Sequence, residues 1–74
     1  MGEVTAVADR TIRGWIESGQ LKPGAKLPSE RTLVVELAVS RSTVRLILLK
    51  LAAEGAIRAE HGRGYFVAAP ERDA

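Results

Sequence analysis

The 74-residue sequence contains no cysteine, one histidine and only three aromatic residues. The absence of cysteine excludes disulfide bonds, thiol catalysis and thiolate metal sites, and it fits a reducing cytoplasm. The lone histidine, His61, cannot form a histidine-paired zinc site, so we expect neither a metal nor a cofactor. No segment approaches the ~20 apolar residues of a membrane span, and residues 1–9 lack the features of a signal peptide. These absences favour a cytoplasmic protein without membrane association.

A chain of this length builds one small domain around a single core. Hydrophobic residues make up 46% of the sequence, and because aromatics are scarce, aliphatic side chains must fill that core. We expect Trp15 to belong to the core rather than to an exposed stacking surface. Residues 1–69 are expected to form the domain, and the polar, proline-initiated residues 70–74 are expected to be a tail or the start of a linker.

The net charge of +2 is weak evidence for a nucleic-acid partner, but the charge is unevenly distributed. Residues 22–63 contain eight Lys or Arg and four Glu, which gives this part of the chain a net charge of +4. A solvated mixed-charge surface can produce the same excess, so charge alone does not identify a partner. The basic residues of this part are Lys22, Lys26, Arg31, Arg41, Arg45, Lys50, Arg58 and Arg63.

Apolar spacing predicts a first helix over residues 4–18. Gly19 supplies the left-handed residue that commonly ends a helix, and residues 20–24 then form a turn. Residues 25–27 are expected to be extended, because Pro28 keeps the preceding residue out of the helical region. The buried stripe of the first helix is predicted to consist of Val4, Ala8, Ile12, Trp15 and Ile16.

Two more helices are predicted after Pro28. The second runs from Glu30 to about Ala38, with Ser29 as its N-cap and with Leu33 and Leu37 on its buried face. The tight link 39–40 leads to a third helix, which begins at Ser40 or Arg41 and ends at residues 54–55. Its core stripe is predicted to be Val44, Ile47, Leu48 and Leu51.

The last part of the domain predicts a β-hairpin. Residues 56–60 and 65–68 are expected to be strands, and the glycines of residues 61–64 tolerate the positive φ that a hairpin tip needs. The predicted fold is therefore mainly α with a small β-wing: three helices and a two-stranded antiparallel hairpin, arranged as a winged helix-turn-helix.

Motifs spread over about fifty positions of the sequence resemble, in order and spacing, the GntR family of bacterial transcription regulators. Each motif alone is weakly specific, but the whole set in this order is highly specific. The motifs are Ser18-Gly19-Gln20-Leu21-Lys22-Pro23-Gly24, Leu27-Pro28-Ser29-Glu30-Arg31, Val39-Ser40-Arg41-Ser42-Thr43-Val44-Arg45, Leu51, Glu54-Gly55, Ile57, Gly62-Arg63-Gly64 and Phe66-Val67.

The resemblance implies that the third helix enters the major groove of double-stranded DNA. Arg41 and Arg45 are four residues apart and so share one side of that helix, and arginine is the commonest bidentate reader of guanine. Ser40, Ser42 and Thr43 offer hydroxyls near the positive end of the same helix, where phosphate binds favourably. Ser40 can serve as a helix cap and a phosphate donor together, whereas an exposed arginine can also be a merely solvated charge.

The resemblance further implies that Arg31 reaches the duplex from the second helix and that His61, Gly62 and Arg63 contact phosphates and the minor groove. Arg31 has an alternative role, since it can pair with Glu30 or Glu36 on the surface. His61 at an exposed hairpin tip has no obligatory role. Ser29 is expected to act as a cap rather than as a DNA contact.

The resemblance implies a non-enzymatic regulator, more often a repressor than an activator, that binds a near-palindromic operator as a dimer on DNA. No nucleophile has a plausible base, and Gly62-Arg63-Gly64 suits a hairpin rather than a phosphate loop. The family's carboxy-terminal effector domain does not fit into 74 residues, so we expect an isolated domain that is monomeric in solution.

Leu46 and Leu49 depart from the family, which usually has polar residues at these positions. With Ala53 they form a second apolar stripe on the third helix. An exposed stripe often marks a contact surface, whereas buried leucines would pack against the second helix or the wing. The alternative function that this stripe suggests is a winged-helix module that docks another protein.

Overall fold

In the computed structural model, which describes residues 2–69, three helices precede a two-stranded sheet. The helices are α1 (Glu3–Glu17), α2 (Glu30–Leu37) and α3 (Arg41–Ala53), and the strands are β1 (Ile57–Glu60) and β2 (Gly64–Val67). The predicted winged helix-turn-helix is confirmed, with element ends shifted by one or two residues. The predicted tail, residues 70–74, lies outside the described residues.

Serine side chains begin two of the helices as predicted. The Ser29 hydroxyl accepts a hydrogen bond from the backbone N–H of Thr32 at 3.1 Å, and the Ser40 hydroxyl accepts one from the N–H of Thr43 at 3.1 Å. Each bond satisfies a backbone donor that the first helical turn leaves without a partner. Gly55 has a φ of +82°, which allows the chain to leave α3 and enter β1.

The core forms around the inward side of α3. Its buried residues Val44, Ile47, Leu48 and Leu51 recur at helical spacing, as predicted. They pack with Ile12 of α1, Leu33 of α2, and Ile57 and Val67 of the hairpin. Trp15 is half-buried and packs against this cluster, as expected. Since α3 contributes the largest share of the core, the other elements are positioned by their contacts with it.

The hairpin is joined to the segment that precedes α2. β1 and β2 pair antiparallel, with Ile57 opposite Val67, and the extended residue Lys26 forms an additional bridge with Phe66. The backbone N–H of Leu27 donates to the Tyr65 carbonyl at 2.9 Å, and the N–H of Val67 donates to the Ala25 carbonyl at 2.8 Å. These bonds connect the wing to the entrance of the helix-turn-helix.

The first turn of α1 differs from the prediction. Val4 was expected in the buried stripe, but its side chain is exposed, whereas Ala8 and Ile12 are buried. Val4 borders an open groove between the start of α1 and the end of α2, which Glu36 and Leu37 line on the opposite side. The prediction for Val4 was therefore wrong, because helical spacing identifies a side of a helix but not how far the neighbouring helix extends along it.

A buried carboxylate that the sequence analysis missed connects α1 to α3. Asp9 is only 4% exposed, and its carboxylate accepts hydrogen bonds from Arg13 and, at 3.3 Å, from Lys50 Nζ. Arg13 also pairs with Glu54 at 2.7 Å. Burial raises the pKa of Asp9, but the hydrogen bonds from Arg13 and Lys50 outweigh it and leave the pKa below its usual 3.8. The i, i+4 spacing of Asp9 and Arg13 was the available sequence signal.

We expect Asp9→Asn to lower the free energy of unfolding at pH 7 by about 1–3 kcal/mol, because it removes the charge from a buried hydrogen-bonded group. Since the folded pKa lies below the unfolded value, the contribution of Asp9 is present above the unfolded pKa of 3.8 and is lost as the pH falls through the folded pKa. Urea denaturation between pH 2 and pH 7 measures both effects.

The control for this change is Glu17→Gln, which removes an exposed carboxylate from the carboxy-terminal end of the same helix. A carboxylate there is unfavourable to the helix dipole, so this variant should be neutral or slightly more stable. Equal stability of the Asp9→Asn and Glu17→Gln proteins across the pH range would contradict the structural role of Asp9.

The turn between α2 and α3 depends on a left-handed alanine. Ala38 has φ 54° and ψ 46°, and among residues 2–69 it is the only non-glycine residue with a positive φ. An L-residue with a Cβ pays roughly 1–2 kcal/mol for this conformation. Ala38 therefore carries local strain that the packing of the two helices maintains.

Replacing Ala38 with glycine is expected to raise the free energy of unfolding by about 0.5–1 kcal/mol, because relief of the Cβ strain exceeds the added entropy of the unfolded chain. The matched control is Ala6→Gly inside α1, which should lower stability by about 0.5–1 kcal/mol. Urea denaturation measures whether each change raises or lowers the free energy of unfolding. If Ala38→Gly were as destabilising as Ala6→Gly, the strain at Ala38 would be ruled out.

Candidate nucleic-acid interface

The outward side of α3 carries two exposed arginines. The side chains of Arg41 and Arg45 are 65% and 62% exposed, and they lie one helical turn apart. Val44, Ile47 and Leu48 of the same helix are buried in the core, and the two arginines lie along the border of this buried side. The two guanidinium groups are therefore exposed side by side, which leaves them available to a ligand.

Glu30, the first residue of α2, binds both of these arginines. Its Oε2 accepts a hydrogen bond from Arg45 Nε at 2.9 Å, and its Oε1 lies 3.6 Å from Arg41 Nε. Each carboxylate oxygen thus faces one arginine through the Nε atom. The terminal nitrogens of both guanidinium groups make no hydrogen bond to residues 2–69, so they remain free to donate to another molecule.

The contact between Glu30 and the two arginines shifts the pKa values of Glu30 and Arg45. The hydrogen bond from Arg45 is the main reason that the pKa of Glu30 lies below its usual 4.5, and the positive charges of Arg45 and Arg41 add to it. The same hydrogen bond raises the pKa of Arg45. Glu30 is consequently a carboxylate at neutral pH and holds the charged form of Arg45 in position.

Arg31 differs from Arg41 and Arg45 in having no carboxylate partner within the described residues. The sequence left open an ion pair with Glu30 or Glu36, but Glu30 is bound to the arginines of α3 instead, and Glu36 forms no ion pair with Arg31. The side chain of Arg31 is exposed. The alternative in which Arg31 forms a surface ion pair with Glu30 or Glu36 is therefore wrong.

The hydroxyls at the start of α3 have unequal freedom. Ser40 donates to the Thr43 hydroxyl at 3.0 Å while it caps the helix, so its oxygen is already engaged. Thr43 can still donate its own hydroxyl hydrogen. Ser42 is exposed and makes no side-chain hydrogen bond within residues 2–69. Of the three predicted phosphate-binding hydroxyls, Ser42 is thus the most available.

The wing tip presents the three residues that the sequence singled out. His61, Gly62 and Arg63 are all exposed, and Gly62 has the positive φ of +75° that the turn requires. Arg63 pairs with Glu60 at 3.2 Å, and its guanidinium lies 5.4 Å from the centre of the Phe66 ring. Stacking on the ring supports the arginine without occupying all of its donors.

Glu60 is shared within the hairpin. Arg58 donates to it at 2.6 Å and 3.1 Å. The hydrogen bond from Arg58 is the main cause of the lowered pKa of Glu60, to which the charge of Arg63 contributes. Arg58 and Arg63 share this single carboxylate, so the three side chains together keep one net positive charge at the wing.

A groove of about 330 Å³ connects the wing with the helix-turn-helix. Arg63, Gly64 and Lys26 line one part of it, and Ser29 and Glu30 line another. Since Glu30 also binds Arg41 and Arg45, the wing tip and the outward side of α3 border one continuous surface. Lys26 is exposed and belongs to this surface. Residues 25–27 were predicted to be extended, but their pairing with β2 was not predicted.

Leu46 and Leu49 are 52% and 62% exposed. The alternative in which they pack against α2 or the wing is therefore wrong. With Arg41, Ser42 and Arg45 they line a shallow groove of about 350 Å³ on the outward side of α3.

Within residues 2–69, no helix has the length and hydropathy to cross a membrane.

Three helices with a β-hairpin that follows the third define the winged helix-turn-helix class, and known proteins agree with this class. The crystal structure of the AraR DNA-binding domain in complex with operator ORX1 superposes with a TM-score of 0.85 at 34% identity, over 92% of this chain and 82% of that chain. A GntR family transcriptional regulator from Listeria monocytogenes shares the fold with a TM-score of 0.87 at 23% identity, over 93% and 60% of the two chains.

The profile of the gntR family of bacterial regulatory proteins matches residues 5–67. The chain belongs to this family.

Two curated relatives are named as repressors. The arabinose metabolism repressor of Geobacillus stearothermophilus is 42% identical over 60 residues, which are 81% of this chain and 16% of that protein. The mannosyl-D-glycerate transport/metabolism system repressor MngR of Escherichia coli (strain K12) is 44% identical over 61 residues, 82% of this chain and 25% of that protein. The chain spans a quarter or less of the length of these relatives.

The contact between Glu30 and Arg45 makes a prediction about titration. We expect Arg45→Met to raise the pKa of Glu30 toward 4.5, since the principal hydrogen bond is lost, and Arg41→Met to raise it less, because the Arg41 contact is longer. Carboxyl-detected NMR titration measures the pKa directly. Arg10→Met, a change at an exposed residue of α1, is the control. An unchanged pKa in the Arg45→Met protein would disprove the contact.

Proposed function

We propose that this chain binds double-stranded DNA sequence-specifically as the DNA-reading domain of a bacterial transcription regulator, with α3 in the major groove and the wing on the minor groove. The observation that carries the proposal is the pair of exposed arginines on α3, held through their Nε atoms by one carboxylate. Family membership and the likeness to the AraR domain bound to its operator support it.

In this proposal Arg41 and Arg45 read guanine. A guanidinium donates two parallel hydrogen bonds to guanine O6 and N7, and both arginines keep their terminal nitrogens free for such contacts. Their connection to Glu30 limits the rotamers that each side chain samples. An arginine that is held in place before binding loses less conformational entropy on contact with a base.

Phosphate contacts set the position of the helix on the duplex and contribute little base discrimination. We assign the phosphate contacts to the hydroxyls of Ser42 and Thr43 at the positive end of α3. Ser40, whose hydroxyl caps the helix, would contact phosphate through its backbone. Arg31 would reach the backbone from α2. His61, Gly62 and Arg63 would contact the minor groove and its phosphates, where the glycine permits close approach of the main chain.

A dimer on DNA would account for recognition of a near-palindromic operator. One winged helix covers one half-site, and two copies related by a two-fold axis read half-sites separated by about one helical turn, ~34 Å. We propose that the domain is monomeric in solution and that the remaining length of a full regulator would supply dimerisation and effector binding. Occupancy of the operator would repress transcription without catalysis, in the bacterial cytoplasm.

The test is selection of bound duplexes from a random-sequence pool, followed by binding measurements at increasing salt. The chain should select a guanine-containing half-site, and its affinity should fall steeply with salt as counterions are released. Arg41→Ala and Arg45→Ala should each cost ~1–3 kcal/mol of binding and relax the preference at one position. An affinity that is independent of salt, or a selection without a consensus, would refute the proposal.

The wing variants serve as an internal comparison in the same experiment. Arg63→Ala and His61→Ala should weaken binding to the selected duplex and to random DNA by similar factors, and Arg63→Ala should reduce the salt slope by roughly one. Arg10→Ala, on α1, is the matched control for loss of one positive charge. A changed base preference in Arg63→Ala with an unchanged salt slope would contradict the role given to the wing.

A second candidate function is favoured by the exposure of Leu46 and Leu49. In this alternative the winged helix docks another protein through these leucines. Apolar docking is insensitive to salt, whereas phosphate contacts are not, so the salt titration distinguishes the two functions. The two arginines beside the leucines weigh against this alternative, because a protein partner would have to compensate two buried positive charges.

A further inference from the structure

The outward side of α3 is not uniformly polar. Leu46 and Leu49 are exposed on it, and they line the same groove as Arg41, Ser42 and Arg45. Leaving two leucines in water brings no stability to the isolated domain, since neither one contributes to the buried cluster. Their exposure calls for a role outside the core.

The helix geometry relates the leucines to the arginines. Leu49 follows Arg45 by four residues, as Arg45 follows Arg41, so the three side chains form one row along the helix. Leu46 follows Ser42 by four residues and forms the adjacent row. A rise of 1.5 Å per residue separates Leu49 from Arg45 by roughly 6 Å along the helix axis. The leucines therefore extend the arginine surface toward the carboxy-terminal end of α3.

We propose that Leu46 and Leu49 are specificity-determining residues that contact the 5-methyl groups of thymines in the major groove, beside the guanines read by Arg41 and Arg45. The inference rests on the proposed function. The thymine methyl is the apolar group that the standard bases display in the major groove, and apolar side chains recognise it by direct contact. A helix that bears arginines followed by leucines would thus prefer guanines flanked by thymines.

The charges that border the leucines favour DNA over a second copy of this chain. In a two-fold dimer formed through this groove, the same patch of each copy would face its own image. Such an interface would enclose the two arginines of each copy, and the repulsion among these like charges would oppose the contact. A polyanion that also displays methyl groups complements both parts of the groove.

The experiment replaces thymines of the selected duplex, one at a time, with deoxyuridine, which removes only the 5-methyl group. The wild-type chain should lose affinity roughly fourfold at each contacted thymine, the factor expected for one buried methyl group. In the Leu46→Ala and Leu49→Ala proteins, deoxyuridine should have no further effect at the position that the missing leucine contacts. A deoxyuridine effect that is present with the wild-type chain and absent with the alanine variant identifies a direct contact rather than a general change in DNA shape.

The matched control is Val35→Ala, which trims an exposed apolar residue of α2 that does not line the groove. It should retain the full deoxyuridine profile of the wild type. If deoxyuridine had no effect at any thymine while the selected duplex still bound tightly, the inference would be wrong and the proposed function would stand. If no duplex were selected at all, the proposed function itself would fail.

Sedimentation of the free chain completes the test. The wild-type protein should sediment as a monomer, and Leu49→Glu should leave that mass unchanged while it weakens binding to the selected duplex. A dimer that Leu49→Glu dissociates would overturn the inference and would assign the leucines to a protein interface, since burying an unpaired carboxylate opposes association.

Discussion

The structure depends on the burial of one side of α3. Val44, Ile47, Leu48 and Leu51 form the middle of the core, and α1, α2 and the hairpin each contribute residues that pack on them. In a chain of 74 residues there is room for only one such core, so the helix that fills it also sets the position of its neighbours. Burial of one side fixes the opposite side in solvent. The outward residues of α3 are therefore presented by the same packing that stabilises the domain.

Two carboxylates connect the other helices to α3, and their surroundings differ. Asp9 is buried between α1 and α3, where Arg13 and Lys50 compensate its charge. Removing one partner of such a contact leaves an uncompensated charge in the interior, so the contact mainly affects the stability of the fold. Glu30 lies at the surface between α2 and α3, where water screens its charge. Its effect falls mainly on the orientation of Arg41 and Arg45, and hence on the proposed reading of DNA.

The wing is coupled to this surface through the backbone. The bridge between Lys26 and Phe66 joins the hairpin to the segment that leads into α2. Arg63 and Glu30 consequently line one groove, although they are far apart in the sequence. In the proposed function, major-groove and minor-groove contacts must keep a fixed separation to match the duplex, and the backbone bonds of this segment would hold the wing at that separation. In the proposed function, Lys26 would add a further positive charge between the two regions.

The helices, the strands and the family could be predicted from the amino-acid sequence. Ser29 and Ser40 cap helices because their hydroxyls reach nearby backbone donors, and helical spacing identifies the core side of α3, so short-range chemistry was sufficient for these features. Contacts between residues of different elements could not be predicted in this way, because they depend on tertiary packing. How the helices pack determines that Glu30 contacts both Arg41 and Arg45. The same packing buries Asp9 beside Lys50 and leaves Val4 exposed. Ala38 is left-handed because this packing outweighs its local conformational preference. Spacing along one helix carries no information about the depth or identity of its partner, which is the physical reason that these contacts could not be read in advance.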